Sequence, residues 1–153
     1  MGAWTCPDCG APFANRNAAH SCARVDLDRH FAKARPGVRA AFDRLVEIAS
    51  ADGPIPVVAQ KSRIVFAAPM RFLAIQVPRD RLRGHVLHDR AVPHRVVTEI
   101  VPNAYESGLY LHRFAIRSAA EIDEAFAALV REAARRVGRR ERLRERPARL
   151  VTR

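Results

Sequence analysis

The sequence predicts an α+β protein: a small cysteine-bearing head, then one or two helices, a five-stranded mainly antiparallel sheet and a C-terminal helix. Three observations carry this. All three cysteines lie within the first 22 residues. Apolar residues recur at helical spacing in two later stretches. Between them, five short segments rich in Val, Ile, Phe and Leu follow one another with only proline or charged turns between.

The first element is the head, whose cysteines all fall in "TCPDCGAPFANRNAAHSC". Cys6-Pro7-Asp8-Cys9-Gly10 is a C-x2-C knuckle, in which two thiolates can meet one cation if the chain turns tightly. Pro7 fixes φ and Gly10 permits a left-handed residue. His20 and Cys22 are two apart, so in extended chain they face the same side. Cys6, Cys9, His20 and Cys22 together suit tetrahedral Zn2+. His30 competes as the fourth ligand, and three unrelated thiols are the alternative to any metal. Four protein ligands leave no open position, so the zinc is expected to be structural. The segment has few apolar residues, Trp4 and Phe13 among them, and metal binding would supply much of its folding free energy.

Next, "VDLDRHFAKA" reads as a short helix with Asp26 as cap and Leu27 and Phe31 on one side. "PGVRAAFDRLVEIASADG" is a stronger one, with Val38, Ala41, Phe42, Leu45, Ile48 and Ala49 on one stripe and Gly53-Pro54 at its end. The five strand segments are "SRIVFAAP", "RFLAIQVP", "RLRGHVLHD", "RVVTEIVP" and "LYLHRFAIR". Short connections argue for a meander, because parallel neighbours need long crossovers. Ser118 and Glu121 form a capping box. The helix after it carries Ile122, Ala125, Phe126, Leu129, Val130, Ala133 and Val137 on the side expected to meet the sheet. The units expected are a zinc-ribbon-like head at 1–24, an α+β domain at 25–138, and an arginine-rich tail at 139–153 that is frayed or disordered.

The chain has 153 residues and a net charge of +11, unevenly placed. Residues 135–153 hold nine Arg against two Glu, so the tail supplies +7 and the body is mildly basic. The tail favours anionic partners such as nucleic acid. Lys33 and Lys61 are the only lysines and alanine is abundant, a composition that looks like GC-rich coding bias, so the abundance of arginine is not itself read as a phosphate-binding signal. No apolar run approaches the roughly 20 residues of a membrane span, and no secretion signal opens the chain. A cytoplasmic, reducing compartment is expected, with thiols as metal ligands rather than disulfides.

The motifs Trp4-x-Cys6-Pro7-x-Cys9-Gly10, Phe13, His20-Ser21-Cys22, His30-Phe31, Lys61-x-x-Ile64-x-Phe66, Arg71-Phe72 and Leu82-Arg83-Gly84 resemble an uncharacterised bacterial family, catalogued as a domain of unknown function. Its members carry a zinc-ribbon-like head before an α+β domain. The resemblance spans about residues 4–137 and is most specific in the head. The family pattern has an aromatic residue after Glu-Ala in the last helix, where Ala134 stands here, and the arginine tail is unlike it. The resemblance implies a fold and a zinc site, and no activity.

By strand alternation, Lys61 and Arg63 share a face, Arg71 lies with Leu73, Ile75 and Val77, Arg81 and Arg83 lie with His85, and His112 lies between Tyr110 and Phe114. If these faces converge, Lys61, Arg63, Arg71, Arg83 and His112 ring an anion site. Otherwise they guard strand ends and solvated faces. His85, His88 and His94 read as surface or half-buried residues. No phosphate loop, nucleophile elbow or metalloprotease motif is present. Glu99 with His112 is the kind of acid/base pair any sheet offers by chance. The expected function is therefore a non-catalytic, zinc-containing binding protein, for nucleic acid or in regulation. The alternative is a domain binding a small anionic ligand or a protein, with a purely structural zinc head.

Overall fold

Pro36 starts the longest helix, and the pattern behind it sets what that helix covers. In the computed structural model, which describes residues 4–7, 12–13, 27–67, 69–104 and 107–139, helix α2 runs Pro36–Ala49 with proline in its first turn. Proline is suited there because the first helical N–H groups have no intrahelical partner. Val38, Ala41, Phe42, Leu45, Ile48 and Ala49 are all buried, as the spacing requires. Gly53, with φ 135°, turns the chain away. The expected short helix is one turn, α1, Leu27–His30, and Asp26 lies outside the described residues.

The sheet has six strands rather than the five expected. They are β3 (Val57–Ala59), β4 (Ile64–Ala67), β5 (Arg71–Gln76), β6 (Leu82–His88), β7 (Val97–Pro102) and β8 (Tyr110–Ile116), following β1 (Trp4–Thr5) and β2 (Pro12–Phe13) of a separate two-stranded ladder. All pairings are antiparallel, in the order β3-β4-β5-β6-β8-β7. The meander therefore breaks after β6: β8 takes the place beside it, and β7 becomes the far edge.

The capping box gives way to a different cap. Ser118 opens only a 3-10 turn, Ala119–Glu121, without a side-chain cap bond. The Glu121 carboxylate instead accepts from the Arg117 N–H at 2.6 Å. Helix α3 begins later, at Glu124–Ala133, where Asp123 accepts from the Phe126 N–H at 3.0 Å. Within α3, Ala125, expected on the buried side, is exposed, and Ala127 is buried. Beyond Ala133 the helix widens into a π turn, Ala134–Gly138. There the Gly138 carbonyl accepts from the Met70 N–H at 2.9 Å.

Helices α2 and α3 pack together on one face of the sheet. The core joins their stripes to Ile64, Phe66, Leu73, Ile75, Leu82, Val86, Phe114 and Ile116. A run of rings, Phe31, Phe42, Phe66 and Phe72, crosses it with successive centroids 5.0, 6.1 and 6.5 Å apart. A bulge between Phe66 and Ala67 breaks the pairing of β4 with β5, so Phe66 faces Leu73 while Ala67 faces Arg71. Phe72 is the extra residue, and the bulge turns its ring into the core. No helix among the described residues is long and apolar enough to cross a membrane.

Candidate anion-binding site

With one sheet face committed to the helices, the other is free to carry polar groups. Cross-strand register assembles them. Gln76 lies opposite Arg83 and Ala74 opposite His85. Arg83 then lies opposite Ala115 and His85 opposite Arg113. Ala74 and Ala115 are small, and longer side chains stand around them. The result is a depression of about 410 Å³ whose polar lining is Arg63, Gln76, Arg81, Arg83, His85, Thr98 and Arg113.

The charges in it are of two kinds. Arg81 pairs with Asp80 at 3.0 Å, and Arg113 with Glu99 at 3.0 Å. Arg63 and Arg83 instead hydrogen-bond neutral amides, donating to Gln60 at 3.2 Å and Gln76 at 3.3 Å. Among the described residues neither has a carboxylate partner. His85 is held below the ordinary imidazole value by burial, then by the charges of Arg63 and Arg113. It is a neutral ring between cations.

Of the five residues expected to ring an anion, the structure brings Arg63 and Arg83 together in this depression. Lys61 is exposed and outside the lining. Arg71 is moved by the bulge: its partner Ala67 follows the core-facing Phe66, so Arg71 leaves the face of Leu73 and Ile75. It lies near enough to Arg63 that, after burial, the Arg63 charge lowers its pKa.

His112 does share a face with Phe114, but that face is the core. Fully buried, its Nε2 accepts from the Val92 N–H at 3.0 Å and its Nδ1–H donates to the Tyr110 carbonyl at 3.2 Å. Both nitrogens are used and burial lowers its pKa, so it is a neutral structural ring. Glu99 lies opposite Arg113, while Ile100 lies opposite His112, so Glu99 and His112 form no acid/base pair.

Sequence reasoning missed Arg113, Gln76 and Thr98 as lining. Phe114 and Ile116 held the signal for Arg113: once they point inward, Arg113 must point outward. His88 was also misread as a surface or half-buried residue. It is fully buried, with Nε2 3.1 Å from a Glu132 oxygen that also accepts from Arg90 at 2.8 Å. Its Nδ1 lies 3.0 Å from Asp89 without hydrogen-bond alignment, and Asp89 accepts from Arg136 at 2.8 Å. This cluster ties the end of β6 to α3 and the π turn. His94 is likewise structural, bonded to Asp123 at 2.8 Å and accepting from the Val96 N–H at 3.1 Å.

Of the expected zinc ligands, Cys9, His20 and Cys22 lie outside the described residues. Cys6 is buried, 3% exposed. It follows β1, whose Thr5 is paired with Pro12. His30 donates Nε2–H to the Gln60 carbonyl at 2.7 Å, which leaves Nδ1 as its one nitrogen for a metal. Of the tail, only Arg139 is described.

Fold and site together define a two-layer α+β domain with helices on one face of an antiparallel sheet and an arginine-lined depression on the other. The chain belongs to the family described as "Domain of unknown function (DUF5655)", whose model matches residues 27–134. No curated protein and no solved structure matches the chain.

Proposed function

We propose that the domain is a non-catalytic binding module and that the depression on its sheet takes a small anionic ligand. The observation that carries this is the pair Arg63 and Arg83, two guanidinium groups held by neutral amides beside a cavity. Several arginines elsewhere pair with carboxylates, such as Arg39 with Asp28 and Asp43; Arg63 and Arg83 differ in standing together at a cavity with only amide partners. A guanidinium presents a planar fork suited to phosphate or carboxylate oxygens. The described lining has no thiol, and no carboxylate to orient His85 as a general base, which favours binding over acid/base or nucleophilic chemistry. Nucleic acid fits less well, since strand binders stack bases on aromatic rings. Of the two rings in the described lining, Phe114 is 1% exposed and belongs to the core, and His85 is half-buried.

Binding confined to the folded state raises apparent stability, by about 2.7 kcal/mol at a hundredfold excess over Kd. Inorganic phosphate should therefore raise the melting temperature of the wild type. The doubly substituted Arg63→Ala, Arg83→Ala protein should fold and lose that rise, while Lys61→Ala should keep it. A rise that survives in the double variant, or none in the wild type, counts against the site.

The head is proposed to be held by structural zinc on Cys6, Cys9, His20 and Cys22. Buried Cys6 at the end of the short ladder supports this. A Cys9→Ser protein should keep a cooperatively folded body and lose bound zinc by elemental analysis. Undiminished zinc would remove the assignment.

A further inference from the structure

The depression's charge and its one titratable lining group specify its ligand more closely, an inference that rests on the anion-site reading above. We infer that the site takes a tetrahedral dianion, a phosphate monoester, and that His85 gains a proton as it binds.

The first part follows from charge. Arg81 and Arg113 each have a carboxylate, so they add no net charge to the lining. Arg63 and Arg83 have none among the described residues, which leaves two uncompensated positive charges. A monoester phosphate above its second pKa, about 6, carries two negative charges and three terminal acceptor oxygens. A carboxylate or phosphodiester carries one. A volume of about 410 Å³ lies within the range of small-ligand pockets, about 300–1,000 Å³, so there is room for an organic body beyond the phosphate. The Thr98 hydroxyl and the Gln76 amide in the lining suit hydroxyl groups on that body.

The second part follows from His85's surroundings. Arg113 lies opposite it on β8 and uncharged Ala74 opposite it on β5. Arg63 approaches from the turn before β4, Arg83 stands two residues earlier on its own strand, and Glu99 of β7 is turned to Arg113. In the empty site, burial and two cations hold the ring neutral. A dianion between those cations reverses the local potential and favours imidazolium. Between the empty and the occupied pKa, binding takes up a proton, and affinity rises as pH falls. Below about pH 6 the phosphate itself protonates, so sulfate, which stays doubly charged, isolates the protein's part.

The test is an NMR titration of the six imidazoles of the full chain from pH 5 to 8, with and without sulfate. The His85 resonance is assigned by its absence in His85→Gln, or in His85→Asn should the first variant not fold. Calorimetry then compares sulfate and glycerol 3-phosphate with dimethyl phosphate and acetate. The expected results are a higher His85 pKa in sulfate and affinities for the dianions at least tenfold above those for the monoanions. Equal binding of monoanions would overturn the dianion inference and leave the anion site standing. An unmoved His85 with sulfate bound would overturn the proton uptake. Binding of none of the four would overturn the underlying reading itself.

Discussion

Gly84→Ala is expected to destabilise the domain by on the order of 3 kcal/mol or more, at the upper end for an inserted methyl group. A Cβ at this position would sit 2.1 Å from the Ala74 carbonyl oxygen and 3.0 Å from the Ile75 Cα. Both are backbone atoms of the neighbouring strand, so no side chain can swing away to relieve the contact. The strand itself would have to move, and β6 lies between β5 and β8. Domains are stable by about 5–15 kcal/mol, so the loss is a large share of the whole. Urea denaturation should show a large drop in midpoint. Gly108→Ala is the contrast: φ there is +84° but nothing lies within 4 Å, and the cost is about 1 kcal/mol of backbone strain. Comparable midpoints for the two variants would refute the steric account.

Phe126→Ala is expected to cost about 3–5 kcal/mol. The ring is fully buried and joins three elements. It meets Phe114 of β8 edge-on, with centroids 5.4 Å apart, and lies 5.5 Å from the His94 ring. Its own N–H is the one Asp123 caps, so truncation empties the space where α3 starts. The transition should move to lower urea with little change in slope, since the surface exposed on unfolding is nearly constant. Phe126→Leu refills most of the volume and should cost less than about 1.5 kcal/mol. If leucine were as damaging as alanine, the loss would come from the edge-on ring contact rather than from the emptied volume.

These sites show what the chain made legible. The stripe of α2 was readable because six apolar residues at 3.6-residue spacing allow only one buried side. Strand β3 was not, since three residues between Pro56 and Gln60 are too few for alternation to declare itself. Arg71 was misplaced because strict alternation assumes an unbroken ladder, and the bulge beside Phe72 is a tertiary event. The cap was misread for a related reason: Ser118 and Glu121 have cap chemistry, but the turn they open is too tight, and Asp123 carries the same chemistry five residues after Ser118. Of the depression, Arg63 and Arg83 were readable as outward-facing cations. That His112 faces the core depended on which side the helices cover, and one strand's pattern does not reveal that.

The placement of β8 between β6 and β7 has a consequence for the order of assembly. β7 and β8 are neighbours in both sequence and space, so they can form as a local hairpin at small loop-closure cost. β7 touches the rest of the sheet only through β8. The hairpin can therefore dock as a unit, with β8 pairing along the seven residues of β6. That single seam completes the sheet, and it also brings Arg113 beside His85. The meander from β3 to β6 can pair without β8, whereas the depression is complete only once β8 lies beside β6.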